Sequence, residues 1–168
     1  VILEGCTVVT YDRLVVSPGL KLDWGAIEGL EETLGRNGVT SNYRYDLAPY
    51  TWQLVQELKE GRALFTQPPM PIKCAGAPQK AMYLSGDAWF RNGALKDIDI
   101  QFMNAGGLLF GVKEYVPALM KYVEKYDATL NFFNTLTAVD GAAKKATFKV
   151  AKPDSEPTEI TVDFDMMH

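Results

Sequence analysis

Residues 62–80 of the chain read RALFTQPPMPIKCAGAPQK, and this order predicts a buried strand, a bent loop and the start of a helix. The short apolar run at 62–66 is typical of a strand inside a sheet. Prolines at positions 68, 69 and 71 end it, because proline cannot donate to the hydrogen-bond ladder of a central strand. Pro78 suits the first turn of a helix, where its missing N–H leaves no bond unmade. Cys74 therefore lies in a predicted strand-to-helix loop.

The alternation of strand and helix continues after this loop. The helix that follows is expected over 79–91, and the next strand, helix and strand over 98–103, 113–125 and 129–133. Polar turns then separate three strands of an expected antiparallel meander, at 135–139, 146–150 and 158–164. The order predicts an α/β fold, with a Rossmann-like parallel sheet of the nucleotide-binding kind and an antiparallel β meander. In such sheets ligands bind beyond the carboxyl ends of the strands, so Cys74 belongs at that edge.

Two predicted helices carry apolar stripes that indicate which face is buried. The first is expected over 47–60, with Gly61 as its stop and a stripe formed by Trp52, Val55 and Leu58, beside which Leu54 lies. The helix at 79–91 has four core candidates, Met82, Leu84, Ala88 and Trp89. These side chains are expected to face the core.

The amino-terminal part of the chain predicts a strand followed by an irregular connector. Leu14, Val15 and Val16 lie in a run rich in β-branched residues and are interpreted as a buried strand ending at Pro18-Gly19. Residues 20–45 contain glycines at four positions and predict little regular structure beyond a short helical turn. Residues 10–16 resemble residues 162–168, either by chance or because a nucleotide-binding unit is duplicated.

Composition excludes several classes of function. The 168 residues are 47% hydrophobic with a net charge of −4, which fits one domain, or one domain and part of another, and disfavours nucleic-acid binding. No apolar run approaches the 18 or so residues of a membrane span. Two cysteines and one histidine are too few for a zinc site, and two cysteines make a poor disulfide framework. The chain begins at Val1 and ends within a strand pattern, so we expect an internal fragment of a longer protein.

The surroundings of Cys74 favour a reactive thiol. The predicted helix start offers unpaired N–H groups and the positive end of a dipole, and Lys73 and Lys80 add positive charge. These features favour the thiolate, which is the nucleophilic form of cysteine. A buried, inert cysteine is the alternative.

The same loop lacks the marks of a dinucleotide site. Such a site needs several glycines at the first strand–helix turn and an acidic residue at the end of the second strand. Here residues 74–78 contain one glycine, and the second strand ends at Met103-Asn104 without a carboxylate. We therefore expect no nicotinamide binding, and infer a nucleotide-binding scaffold that presents a thiol.

Several motifs resemble one family of flavoproteins. Residues 71–84, PIKCAGAPQKAMYL, resemble the first redox-cysteine motif of sulfide:quinone oxidoreductases, in the branch that includes the mitochondrial enzyme. The likeness continues through 109–113 and Tyr115 to the strand at 164–168. Residues 11–19, YDRLVVSPG, resemble the second flavin-contacting segment of the wider two-dinucleotide-binding flavoprotein superfamily.

The resemblance implies a function for the longer protein. Family members bind FAD, oxidise sulfide at a pair of cysteines and pass two electrons to a membrane quinone. Cys74 matches the first cysteine of the pair, and Lys80 matches a motif lysine that would assist it electrostatically, or be merely solvated. Ser17, Pro18 and Gly19 would bring backbone close to the flavin. The implied location is peripheral to a bacterial or mitochondrial inner membrane.

The chain also departs from the family pattern. The amino-terminal glycine fingerprint for FAD, the second redox cysteine and the carboxy-terminal segments that dock on the membrane are not found. Cys6 does not match the second cysteine and is interpreted as structural. We expect residues 1–45 to close the FAD domain and serve as connector, and 46–168 to form the second nucleotide-binding-like domain. The fragment itself should retain little or no FAD and be inactive.

Three alternatives stay open on the sequence. The longer protein could be another flavoprotein of the superfamily, such as flavocytochrome sulfide dehydrogenase or type II NADH:quinone reductase. The domain could instead be a non-enzymatic interaction module with a structural Cys74. The apolar segment near the amino terminus could dock on its own sheet, exchange with a second copy in a homodimer, or stay loose.

Overall fold

The computed structural model describes all 168 residues as an α/β fold with two sheets. The helices are α1 (Leu30–Thr33), α2 (Ala48–Glu57), α3 (Ala77–Asn92) and α4 (Val116–Lys125). The strands are β1 (Gly61–Gln67), β2 (Ile98–Asn104), β3 (Thr129–Phe132), β4 (Asn134–Asp140), β5 (Lys145–Val150), β6 (Thr158–Asp163) and β7 (Met166–Met167). The predicted fold class, with its Rossmann-like sheet and antiparallel meander, is confirmed.

The parallel sheet has the strand order β3-β2-β1-β7, with β1 at its centre. The strands β1 and β2 pair over seven positions, from Gly61 with Ile98 to Gln67 with Asn104. Ala63, Leu64 and Phe65 in the middle of β1 are fully buried, as expected for a parallel strand covered on both faces.

Alternate side chains of β1 enter two different cores, because successive residues of a strand point to opposite faces. Phe65 packs in a core formed with α2, α3 and α4, where Trp89 is completely buried. The indole N–H of Trp89 donates to the carbonyl of Val55 at 2.8 Å, which joins α3 to α2. Leu64 enters the second core, together with Phe148 of the meander and Met167 of β7.

The meander strands pair in the order β4-β5-β6, and the chain then returns to the parallel sheet. The strand pattern near the carboxyl end is therefore divided into two strands, β6 and β7. The break lies at Asp165, whose N–H donates to the carbonyl of Arg62 at 2.9 Å and whose Oδ2 accepts from the Arg62 N–H at 2.8 Å. These bonds bring Met166 and Met167 alongside β1, where Met166 pairs with Ala63.

Two predicted core positions on the helices are wrong. The side chains of Trp52 and Leu84 are 53% and 65% exposed. The buried face of α2 is centred on Thr51 and Val55, and that of α3 on Met82 and Trp89. A rotation of about 100° per residue puts Trp52 outside the first face and Leu84 opposite the second. Gly61 does not stop a helix either, since α2 ends at Glu57 and Gly61 begins β1.

The predicted buried strand at Leu14–Val16 is also wrong. All residues from 1 to 21 are exposed, and Val15 and Val16 are 89% and 73% exposed. The segment pairs with no strand of either sheet and makes only a short bridge within itself, between Ile2 and Val8. A strand is buried only where neighbouring strands or helices cover it, and none does so here. Among the helices, none has the length and apolar character needed to cross a membrane.

Candidate functional site

The sheet changes direction of winding between β1 and β7, and this is where a Rossmann-like sheet forms its ligand crevice. From β1 the chain proceeds to β2 and β3 on one side, and it returns to β7 on the other. The carboxyl ends of the two strands are joined by the Thr66 N–H, which donates to the carbonyl of His168 at 2.8 Å.

A groove of about 470 Å³ lies at these carboxyl ends. Its walls include Thr66 and Gln67 of the β1 end, Met167 and His168 of the β7 end, and Lys73 beside the predicted redox cysteine. The connector contributes apolar side chains from residues 20–39, so that half of the lining residues are hydrophobic. An apolar groove with a few polar groups at its rim is the usual character of a small-molecule site.

Cys74 lies next to this groove in the loop between β1 and α3, with an exposed and free thiol. Its carbonyl accepts from the Ala77 N–H at 2.9 Å as α3 begins, and Pro78 lies in the first turn as predicted. The backbone of Cys74 is left-handed, with φ at 59°, which residues other than glycine adopt rarely. The alternative that Cys74 is a buried cysteine is therefore wrong.

The two lysines that flank Cys74 in the sequence form no ion pair with an acidic residue. Lys73 and Lys80 are both exposed and take part in no salt bridge. Lys80 lies in the first turn of α3, where its N–H donates to the carbonyl of Gly76 at 3.0 Å. Neither ammonium group is therefore neutralised by a carboxylate of the chain.

Tyr43 of the connector reaches the Cys74 loop from the other side. Its hydroxyl donates to the carbonyl of Lys73 and is 3.2 Å from the carbonyl oxygen of Cys74, which shares the same donor. Burial, and then the charge of the neighbouring Cys74 side chain, raise the pKa of Tyr43 above its usual value. The phenol therefore keeps its proton, and remains a donor, at neutral pH.

His168 anchors the segment that carries Tyr43. Its Nε2 accepts from the backbone N–H of Asn42 at 3.0 Å, so this nitrogen is unprotonated. Burial lowers the pKa of His168 to about 4, which keeps the imidazole neutral at physiological pH. The centroid of its ring lies 6.1 Å from the centroid of the Phe65 ring, near the carboxyl end of β1.

Gln67, which lines the groove, has a side-chain oxygen without a partner within the chain. The Oε1 of Gln67 is buried and accepts no hydrogen bond. Orphaned buried acceptors are rare because their desolvation is not repaid, and a ligand N–H or O–H satisfies them. An apolar wall with this acceptor fits the ring of a flavin. The single-glycine turn at 74–78 does not fit the pyrophosphate end of a dinucleotide.

The remaining candidate residues lie apart from the loop. Ser17, Pro18 and Gly19 are exposed and make no hydrogen bond to the site, although the residues that follow, from Leu20, line the groove. Cys6 is exposed in a turn of the amino-terminal segment, with φ at 64°, so its interpretation as a packed structural cysteine is wrong.

Sequence reasoning missed the polar residues that surround the loop. Tyr43 and His168 lie 31 and 94 positions from Cys74, and local patterns contain no signal for contacts at such separations. Gln67 directly follows the predicted strand at 62–66, and this position beyond a strand's carboxyl end could have marked it as a groove residue.

The fold and the carboxyl edge of the parallel sheet define the class of protein. It is a Rossmann-like α/β domain with an exposed thiol beside the groove between β1 and β7. No protein-family model matches the chain. Curated relatives do, and three of them carry the name mitochondrial sulfide:quinone oxidoreductase. The identity is 39% over 161 residues in Dictyostelium discoideum, 38% over 161 in Mus musculus and 38% over 147 in Schizosaccharomyces pombe. The chain is related in sequence to these oxidoreductases, so the resemblance predicted from its motifs is confirmed.

The relationship covers most of the chain but only part of each relative. The alignments include 95%, 95% and 84% of the chain, which spans about a third of the relatives' length (34%, 35% and 32%). Among solved structures, the sulfide:quinone oxidoreductase of Aquifex aeolicus matches 98% of the chain and 37% of its own, at a TM-score of 0.72 and 19% identity. A chain of the Tetrahymena thermophila mitochondrial ATP synthase matches 94% of this chain and 39% of its own length, at a TM-score of 0.70 and 20% identity. At these identities the structural matches support the fold alone.

Proposed function

We propose that this chain is the thiol-bearing part of a flavin-dependent sulfide:quinone oxidoreductase. The observation that carries the proposal is the exposed Cys74 beside the switch-point groove, within a sequence 38–39% identical to relatives of that name. Residues 1–45 would complete an FAD-binding domain and connect it to the domain at 46–168. The complete reaction belongs to the longer protein, because the chain spans about a third of its relatives.

Cys74 is the group proposed to handle sulfur. As a thiolate it is a nucleophile, and it would hold the sulfur atom that sulfide contributes when it is oxidised by two electrons. Lys80 and Lys73 would favour anionic forms of sulfide and thiol electrostatically. The other cysteine of the working pair would come from a different part of the longer protein, since Cys6 lies in the exposed amino-terminal segment.

FAD is the cofactor proposed for the longer protein, where it would supply the two-electron relay from the thiol site to the quinone. The groove wall and Gln67 would contact its ring, and Ser17, Pro18 and Gly19 its nucleotide part. This chain would keep water away from the ring with the apolar residues of the connector. Because it lacks a glycine-rich pyrophosphate turn, residues 1–168 alone should retain little flavin.

Sulfide and a quinone, which the relatives' name contains, are the proposed substrates. The proposed location, peripheral to a mitochondrial or bacterial inner membrane, rests on the family resemblance, and the relatives' name adds only the word mitochondrial. Membrane contact would be made by segments outside these 168 residues.

Sulfide-dependent reduction of a soluble ubiquinone analogue by the full-length protein tests the proposal. We expect Cys74→Ser to lower the rate at least a hundredfold, because serine cannot form a persulfide or a disulfide. Cys6→Ser is the matched control, also an exposed cysteine with a left-handed backbone, and should retain the wild-type rate. A Cys74→Ser enzyme with the wild-type rate would overturn the proposal. Rapid flavin bleaching by NADH, without sulfide activity, would favour an NADH-linked flavoprotein instead.

A further inference from the structure

The loop that presents Cys74 is held by a side chain from a distant part of the sequence. The hydroxyl of Tyr43 donates to the carbonyl of Lys73 and lies 3.2 Å from that of Cys74. On its other flank the Cys74 carbonyl accepts the Ala77 N–H at the start of α3. The loop is thus bonded on the connector side as well as on the helix side.

The backbone conformation of Cys74 explains why the contact with the Tyr43 hydroxyl matters. A left-handed conformation is unfavourable for a residue with a side chain, and it persists where the surroundings determine it. Two consecutive carbonyls that share one hydroxyl donor fix the orientation of the peptide planes on each side of Cys74. The direction of the Cα–Cβ bond follows from those planes, and it limits the sulfur to the few positions that rotation about that bond allows.

Tyr43 is itself rigidly supported by the edge of the sheet. The N–H of Thr40 donates to the carbonyl of Met167 at 2.9 Å, and the N–H of Asn42 donates to Nε2 of His168 at 3.0 Å. The N–H of Tyr43 donates to the Oγ of Ser41 at 3.2 Å. The connector therefore transmits the position of β7 to the Cys74 loop through a continuous set of hydrogen bonds.

We propose that Tyr43 is a positioning residue for Cys74, and that its hydroxyl clamps the two loop carbonyls so that the sulfur faces the reacting partner. The inference rests on the proposed function, which assigns the chemistry to Cys74. It adds a residue that does not touch sulfide and acts through the loop. Burial, and then the charge of the nearby Cys74 side chain, raise the pKa of Tyr43 and keep its hydroxyl a donor to the loop carbonyls.

The test compares Tyr43→Phe with Tyr45→Phe in the full-length enzyme. Tyr45 is 97% exposed and lies two residues away, so its variant controls for loss of a hydroxyl in the same segment. We expect Tyr43→Phe to lower kcat for sulfide-dependent quinone reduction about tenfold, with KM for quinone unchanged, because misplacement of a reacting atom by a fraction of an ångström slows chemistry. Tyr45→Phe should match the wild type.

A second readout separates positioning from folding. The rate of iodoacetamide labelling of the Cys74 peptide, followed by mass spectrometry against pH, should differ between Tyr43→Phe and wild type, while thermal unfolding stays unchanged. Wild-type kcat and labelling in Tyr43→Phe would overturn the inference and leave the proposed function intact. A Tyr43→Phe enzyme that does not fold would also overturn it, because the hydroxyl would then serve stability. An active Cys74→Ser enzyme would instead remove the proposed function.

Discussion

The two edges of the parallel sheet differ in how completely their polar groups are paired. At the amino edge, the Arg62 side chain forms an ion pair with Asp99 at 2.6 Å. The backbone N–H of Arg62 donates to Oδ2 of Asp165 at 2.8 Å. Lys144 donates to the carbonyl of Asp165 at 3.1 Å. At the carboxyl edge of the same β1 strand, the Oε1 of Gln67 is buried without a partner, and the Cys74 thiol is exposed.

The difference separates what folds the domain from what is available to a ligand. Buried polar groups are normally paired, so the unpaired Oε1 of Gln67 is unusual, whereas the groups named at the amino edge pair with one another. Unpaired and strained groups are expected where a protein keeps a site for something outside itself. We therefore expect changes at the amino edge to alter stability and changes at the carboxyl edge to alter chemistry.

The largest effect is expected from Gly61→Ala at the amino edge. Gly61 has φ at 104°, and a Cβ there would lie 2.1 Å from Oδ2 of Asp165. Strain and clash together should lower the free energy of unfolding by about 3 kcal/mol. Gly93→Ala is the matched control, since φ is 83° but a Cβ meets nothing within 4 Å, and it should cost about 1 kcal/mol. Urea unfolding measures both, and equal losses would contradict the clash.

The second effect is a loss of stability in acid that depends on His168. Its pKa is lowered to about 4 in the folded chain, so between about pH 6.5 and pH 4 the unfolded chain binds the additional proton. Stability is therefore unaffected at pH 7, falls as the pH drops through this window, and is lower by about 3 kcal/mol at its acid end. Unfolding at pH 7 and pH 4.5 should show a larger difference for the wild type than for His168→Gln. Equal differences would contradict the assignment to His168.

The smallest effects are expected from two variants, one at each end of β1. Gln67→Leu removes an unpaired acceptor and should raise stability by about 1 kcal/mol, while reducing flavin retention by the full-length protein. Arg62→Met removes a partly exposed ion pair and should lower stability by at most about 1 kcal/mol, without affecting the flavin. Chemical denaturation and flavin absorbance measure the two properties. Flavin loss in Arg62→Met alone would reverse the proposed roles of the edges.

Elements with strong local patterns could be predicted. The apolar run of β1, the prolines after it and the helix with Pro78 in its first turn are each specified by neighbouring residues, and they appear within two residues of the expected bounds. The meander was predicted from its alternating strands and polar turns. In contrast, Val15 and Trp52 have the character of core residues and are exposed, because burial depends on a covering surface that no local pattern describes.

The candidate site divides in the same way. The position of Cys74 between a strand and a helix follows from nearby sequence, since prolines and glycines restrict the backbone over a few residues. The partners of its loop do not, because Tyr43 is 31 positions away and the bond from Asn42 to His168 spans 126. Short-range conformational preferences thus specified the strands, helices and loop. Long-range packing alone selected which side chains meet at the carboxyl edge, since such contacts form only when the sheet brings distant segments together.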